Sequence, residues 1–183
     1  MHNVRQILSL TLVAAISSCS YLHIERNLSA GAGDWGMYGG DIQRANIAHA
    51  DIPPPLTQLW EYNAGAGFSS YSASIAESTL IIGTLHGEIQ IVDALTGKGL
   101  GSHAFGSAVV GTPIIDHDML YVALSHSEES LVAFDIQRGK ADWQAKLGDI
   151  ESAPLLVNNR IVVAAVRGKV VCVDPQESGR SIT

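Results

Sequence analysis

Three aspartates recur through the second half of this 183-residue chain, Asp93, Asp135 and Asp174, spaced 42 and 39 residues apart. Carboxylates can act as general acids and bases or hold a metal, so their neighbours decide what they do. Each is followed at a nearly constant offset by glycine and a basic residue. The stretches are Asp93-Ala-Leu-Thr-Gly97-Lys98, Asp135-Ile-Gln-Arg-Gly139-Lys140 and, one residue longer, Asp174-Pro-Gln-Glu-Ser-Gly179-Arg180. A catalytic set is assembled once, whereas a carboxylate that returns in every repeat reads as a turn former. It accepts backbone N–H bonds, and glycine takes positive φ without the penalty of roughly 1–2 kcal/mol that other residues suffer. The aspartates are therefore read as structural.

The other chemistry-bearing residues read the same way. Seven histidines, among them His86, His103, His117 and His126, show no His-x-x-x-His or comparable ligand spacing and are read as solvated loop residues, so no metal site is expected. Cys172 lies between Val171 and Val173 in an apolar run, where a buried thiol is inert. Gly65-Ala66-Gly67 and Gly97-Lys98-Gly99 do not lead into a helix pattern and so cannot aim a helix N-terminus at a phosphate. No Gly-x-Ser-x-Gly elbow supplies a nucleophile. A formal net charge of −7 gives no positive field for nucleic acid. The residues thus predict no catalytic, cofactor-binding or metal-binding set.

What must position these turns is a repeat. Segments 72–106, 112–148 and 153–183 can be laid over one another. Each opens on a short apolar run, then carries a second (Leu80–Thr84, Leu120–Leu124, Ile161–Ala165) and a third ending in the aspartate (Ile89–Asp93, Leu131–Asp135, Val170–Asp174). Four consecutive apolar residues, rather than strict alternation, indicate strands covered on both faces. Four short strands per forty residues, with both sheet faces covered, is the arithmetic of a β-propeller blade. The fold class expected is all-β, a partial propeller of about three four-stranded blades over residues 56–183. The chain ends where the outermost strand of the third blade is due to start; a truncated product is expected, with completion by a second chain or a solitary arc of blades as the alternatives, and the isolated product is expected to be marginally stable or to aggregate.

Ahead of the blades, Arg5 precedes the apolar run Ile7–Ile16 and the small residues Ser17 and Ser18, a signal-peptide pattern over residues 1–18. The run is about half of the roughly 20 residues a spanning helix needs. Residues 19–55, with Ser29-Ala30-Gly31-Ala32-Gly33 and Pro53-Pro54-Pro55, read as a flexible tether and lead-in segment.

Several of these stretches resemble known families. Ile16-Ser17-Ser18-Cys19 resembles the bacterial lipobox, which implies cleavage before Cys19 and lipidation of its sulfur; Ser20, rather than Asp, implies outer-membrane delivery. Asp93–Lys98 and Asp135–Trp143 resemble the pyrroloquinoline-quinone-type (PQQ-like) propeller repeat, in which a tryptophan such as Trp143 packs between blades. The segment Leu59-Trp60-Glu61-Tyr62 with Gly65, Gly67 and Tyr71 looks like the opening of the outer-membrane-protein assembly lipoproteins of the BamB family, and Trp60 takes a packing role there too. Asp34–Asp41 with Arg44 and Asn46 is similar to the lead-in of many bacterial PQQ-like repeat proteins. The resemblance implies a non-enzymatic, lipid-anchored scaffold facing the periplasm. Its partners would be the β-barrel assembly machinery, through a BamA-like subunit, and nascent outer-membrane proteins. Two alternatives from the same repeat are a small-molecule binder derived from a quinoprotein dehydrogenase and a general periplasmic interaction scaffold.

Overall fold

The structure, a computed structural model, describes residues 22–24, 27–48, 50–177 and 180–182. The signal-peptide pattern over 1–18, Cys19 and Gly179 lie outside the described residues.

Among the described residues, alternating and consecutive apolar residues fold into twelve strands in three antiparallel sheets of four, as the forty-residue period predicts. Blade one holds β1 (Ala73–Ala76), β2 (Thr79–Gly83), β3 (Glu88–Asp93) and β4 (Gly99–Ala104). Blade two holds β5 (Ile114–Asp116), β6 (Met119–Ala123), β7 (Leu131–Asp135) and β8 (Lys140–Ala145). Blade three holds β9 (Leu155–Val157), β10 (Arg160–Ala165), β11 (Lys169–Asp174) and β12 (Arg180–Ile182), with one 3₁₀ turn at Pro175–Glu177 before the last strand. The outermost strand of blade three, due only where the chain ends, is present and pairs Cys172 with Ile182. Register slips by one residue between Ile91 and Val92 in blade one and between Ala133 and Phe134 in blade two, equivalent positions where a bulge adds to the strand's twist.

Two cores sit between the sheets. Ile81, Ile89 and Ile91 of blade one meet Leu120, Val122, Val132 and Phe134 of blade two. Tyr121, Ala123, Leu131 and Ala133, on the other face of blade two, meet Ile161, Val163, Val171 and Val173 of blade three. Blade two is therefore covered on both faces, as its consecutive apolar runs require. Blade three departs from that expectation: Val170 is 71% exposed on the face turned away from blade two.

The reading of residues 19–55 as a tether and lead-in also needs correction at its described residues. Leu22, Ile24 and Leu28 are buried within the first core, at 1%, 7% and 0% exposure. Trp35 exchanges backbone hydrogen bonds with Ile75 of β1, and the Ile115 N–H of β5 donates to the Gly36 carbonyl, so the lead-in crosses the inner edges of two blades. Packing partners far along the chain override weak local patterning here.

Candidate functional site

The repeated turns all lie on one side of the blades. Hydrogen bonds from the Ala94 N–H to the Ser78 carbonyl and from the Ile136 N–H to the Asp118 carbonyl join the β3–β4 turn to the β1–β2 turn in blade one, and the β7–β8 turn to the β5–β6 turn in blade two. We call this side the aspartate-turn face; the loops joining second to third strands lie opposite.

Each aspartate is engaged within its own turn. Asp93 Oδ1 accepts from the N–H groups of Leu95 and Thr96 and from the Thr96 hydroxyl. Asp135 Oδ1 accepts from the Gln137 and Arg138 N–H groups, and Asp174 Oδ1 from that of Gln176. Gly97 and Gly139, at φ of 72° and 65°, close the turns by donating to the aspartate carbonyls. Lys98 directly precedes β4 and Lys140 opens β8: the Asp93 N–H donates to the Lys98 carbonyl, and Lys140 pairs with Asp135 in the ladder.

The tryptophans occupy the seams. Trp143 leaves β8 and donates its indole N–H to the Pro175 carbonyl of blade three at 3.0 Å. Pro175 directly follows Asp174. Trp60 does the same one step earlier, donating at 3.0 Å to the carbonyl of Ala94, which directly follows Asp93. A Cβ on Gly97 would lie 2.6 Å from the Trp60 ring, so a small residue there serves the seam as well as the turn. Tyr62 adds a hydroxyl contact to Gln90 at 3.1 Å. Trp60 and Tyr62 thus contact blade one much as Trp143 contacts blade three, although Leu59 is left 84% exposed.

Two depressions flank these seams. One, of about 410 Å³, lies at the blade two–blade three seam and is lined by Asp116, Tyr121, Asp142 and Trp143. Burial, helped by the negative charge of Asp116 and Asp142, pushes the Tyr121 phenol up to about 12, so it stays a protonated donor. The other, of about 500 Å³, is lined by Trp35, Tyr38, Phe68 and Tyr71, with no acidic residue in its wall. The Arg44 guanidinium stands 5.2 Å from the centre of the Tyr38 ring.

One histidine departs from the solvated-loop reading. His103 lies in β4 with its ring 4.3 Å from that of Phe134 and 4.8 Å from that of Phe105, and burial lowers its pKa below the usual imidazole value. The fold favours the neutral ring, so the unfolded chain binds the proton first as pH falls. His103 therefore contributes stability above about pH 6.5 that is lost progressively below it, toward the lowered folded pKa. The urea midpoint is expected to fall between pH 7.5 and 5.5 by a smaller margin in His103→Phe than in the parent; an equal fall in both would contradict this assignment. His126 gathers with Asp149 and Glu151, their ligand-capable atoms within 4.8 Å of one another. The His126 N–H donates to Asp149 Oδ1 at 2.6 Å, which ties two exposed loops on the face opposite the aspartate turns. Ligand spacing along the chain could not reveal this group, because the partners are brought together across neighbouring loops.

Residues 56–183 match the family described as outer membrane protein assembly factor BamB. The chain belongs to the BamB family. Solved structures similar to it include BamB from Moraxella catarrhalis, at 20% identity and a TM-score of 0.56 over 68% of this chain and 38% of that one. The quinohemoprotein alcohol dehydrogenase from Comamonas testosteroni is similar at 17% identity and a TM-score of 0.69, over 84% of this chain and 27% of that one. A europium-containing methanol dehydrogenase is similar at 16% identity and a TM-score of 0.69, over 84% and 32%. At these identities the likeness shows the fold, which a BamB protein and dehydrogenases share. The chain spans between 27% and 38% of the length of these three. Comparison with curated proteins gives no match.

Proposed function

We propose that this BamB-family chain is a non-enzymatic scaffold, lipid-anchored through Cys19 and facing the periplasm from the outer membrane. It assists assembly of β-barrel outer-membrane proteins by binding the β-barrel assembly machinery, through a BamA-like subunit, and nascent barrel proteins. The family match over the blades is the observation that carries this reading. Loops on the two faces and exposed strand edges are the surfaces for contact, since strand addition gives affinity through main-chain hydrogen bonds.

The use of the carboxylates supports the non-enzymatic half. A quinone cofactor held with calcium needs several side-chain oxygens converging on one ion. Asp93, Asp135 and Asp174 instead each accept hydrogen bonds from their own turns, and the aromatic depression beside Trp35 has no carboxylate in its lining. Among the described residues, these carboxylates do not fit that group. Titration with PQQ and calcium is therefore expected to give no saturable change in absorbance or fluorescence. Micromolar saturable binding would overturn the scaffold reading in favour of a quinoprotein-derived binder.

A further inference from the structure

The seam between blades one and two lacks the tryptophan that the blade two–blade three seam has. The position equivalent to Trp143 is Gly101, which lies opposite Ile91 in the ladder just as Trp143 lies opposite Ala133. Ile91 belongs to the first core, so the Gly101 position faces blade two. The carbonyl that an indole there would reach is that of Ile136, the residue after Asp135. That carbonyl is taken: the Ile24 N–H donates to it at 3.1 Å. The space is taken as well, because Leu22, Ile24 and Leu28 pack with Ile91, Leu120, Phe134 and Ile136. Further bonds fasten the same segment to blade two. The Leu28 N–H donates to Asp118 Oδ1, the Asp118 N–H donates back to the Leu28 carbonyl, and Gln137 Nε2 donates to Asn27 Oδ1.

We infer that the segment around Leu22, Ile24 and Leu28 is an inter-blade strap that replaces the tryptophan absent at Gly101, and that it seats the aspartate-turn face of blade two against a lipid bilayer. The second half rests on the lipid-anchor reading of Cys19. Cys19 precedes Leu22 by three residues, and three residues reach at most roughly 11 Å. Leu22 is 1% exposed and fixed in the seam, so a diacylated Cys19 has no long leash. The strap's hydrogen-bond partners, Asp118, Ile136 and Gln137, belong to the aspartate-turn face. The bilayer therefore meets that face, and the opposite loops, including His126 and Glu128, are turned toward the periplasm and its proteins.

Hydrogen exchange on the full chain tests the strap. The Ile24 and Leu28 amides are expected to exchange slowly, and Gly101→Trp, whose indole competes for the Ile136 carbonyl, is expected to release them while β6 and β7 stay protected. Leu28→Asp gives the same release through a charge in a fully buried site. Fast exchange at 24 and 28 in the parent overturns the strap, as does a folded Gly101→Trp that leaves both amides protected. Orientation is read in the mature lipoprotein, reconstituted in phosphatidylethanolamine–phosphatidylglycerol vesicles containing headgroup-spin-labelled lipid. A thiol fluorophore is placed at Arg138→Cys or Glu128→Cys, each with Cys172→Ala. These positions lie beyond opposite ends of β7, a five-residue strand about 13–17 Å long. Quenching is expected to be several-fold stronger at position 138; equal quenching, or stronger quenching at 128, overturns the orientation. Mass spectrometry of Cys19 separates the two readings: an unacylated cysteine sinks the lipid anchor and the orientation with it, while the exchange data still decide the strap.

Discussion

Replacing Trp143 with alanine is expected to uncouple the third blade from the second. The indole is only 8% exposed, packs among Tyr121, Ile161, Val163 and Val173, and donates to the Pro175 carbonyl at 3.0 Å. Truncating a buried tryptophan costs about 3–5 kcal/mol, a large part of the 5–15 kcal/mol by which a whole domain is typically stable. In a repeat array that loss is local, because each unit is stabilised largely by its neighbours. Among the described residues blade three has one such neighbour, since its other face leaves Val170 71% exposed. Amides in β10 and β11 are thus expected to exchange at nearly the unfolded rate in Trp143→Ala, while those in β2, β3, β6 and β7 remain slow. Trp143→Phe keeps most of the packing but loses the bond to Pro175, and sits between the two. Uniform loss across all three blades would show one cooperative unit and contradict a chain of separable seams.

Replacing Cys19 with serine is expected to abolish membrane attachment. Each buried methylene of an acyl chain contributes about 0.8 kcal/mol, so two chains hold a protein stably where one does so only marginally. Among the described residues no helix is long and apolar enough to cross a membrane, and on the lipid-anchor reading the thiol carries the attachment. Cys19→Ser should incorporate no radiolabelled palmitate and should leave the outer-membrane fraction. A variant that stays there, with palmitate bound, would refute lipidation at Cys19.

The blades were legible in the sequence because their signals are local. An Asp…Gly turn and an apolar run of four or five residues are complete within a few positions, and repetition at forty residues multiplies them. Trp143 could be read for the same reason, since it sits eight residues after Asp135 on the strand the turn begins. The strap could not. Leu28 bonds to Asp118, 90 residues away, and Asn27 to Gln137, 110 residues away, and nothing in the short run around them marks such partners. The only trace was the gap it fills: Gly101 stands where the next repeat has tryptophan. His103 was misread because a histidine between small residues looks like a loop residue until β4 aligns it with Phe134. The covered-both-faces rule held for blade two and failed for blade three, where Val170 is 71% exposed.

The scaffold account is tested most directly by crosslinking in intact outer membranes, followed by affinity purification of this chain and identification of what is covalently bound. The account predicts that β-barrel assembly subunits, foremost a BamA-like protein, are recovered far above the level seen with an unrelated outer-membrane lipoprotein, through positions such as Glu128 on the loops opposite the aspartate turns. Recovery of those subunits no greater than with the unrelated lipoprotein would contradict it.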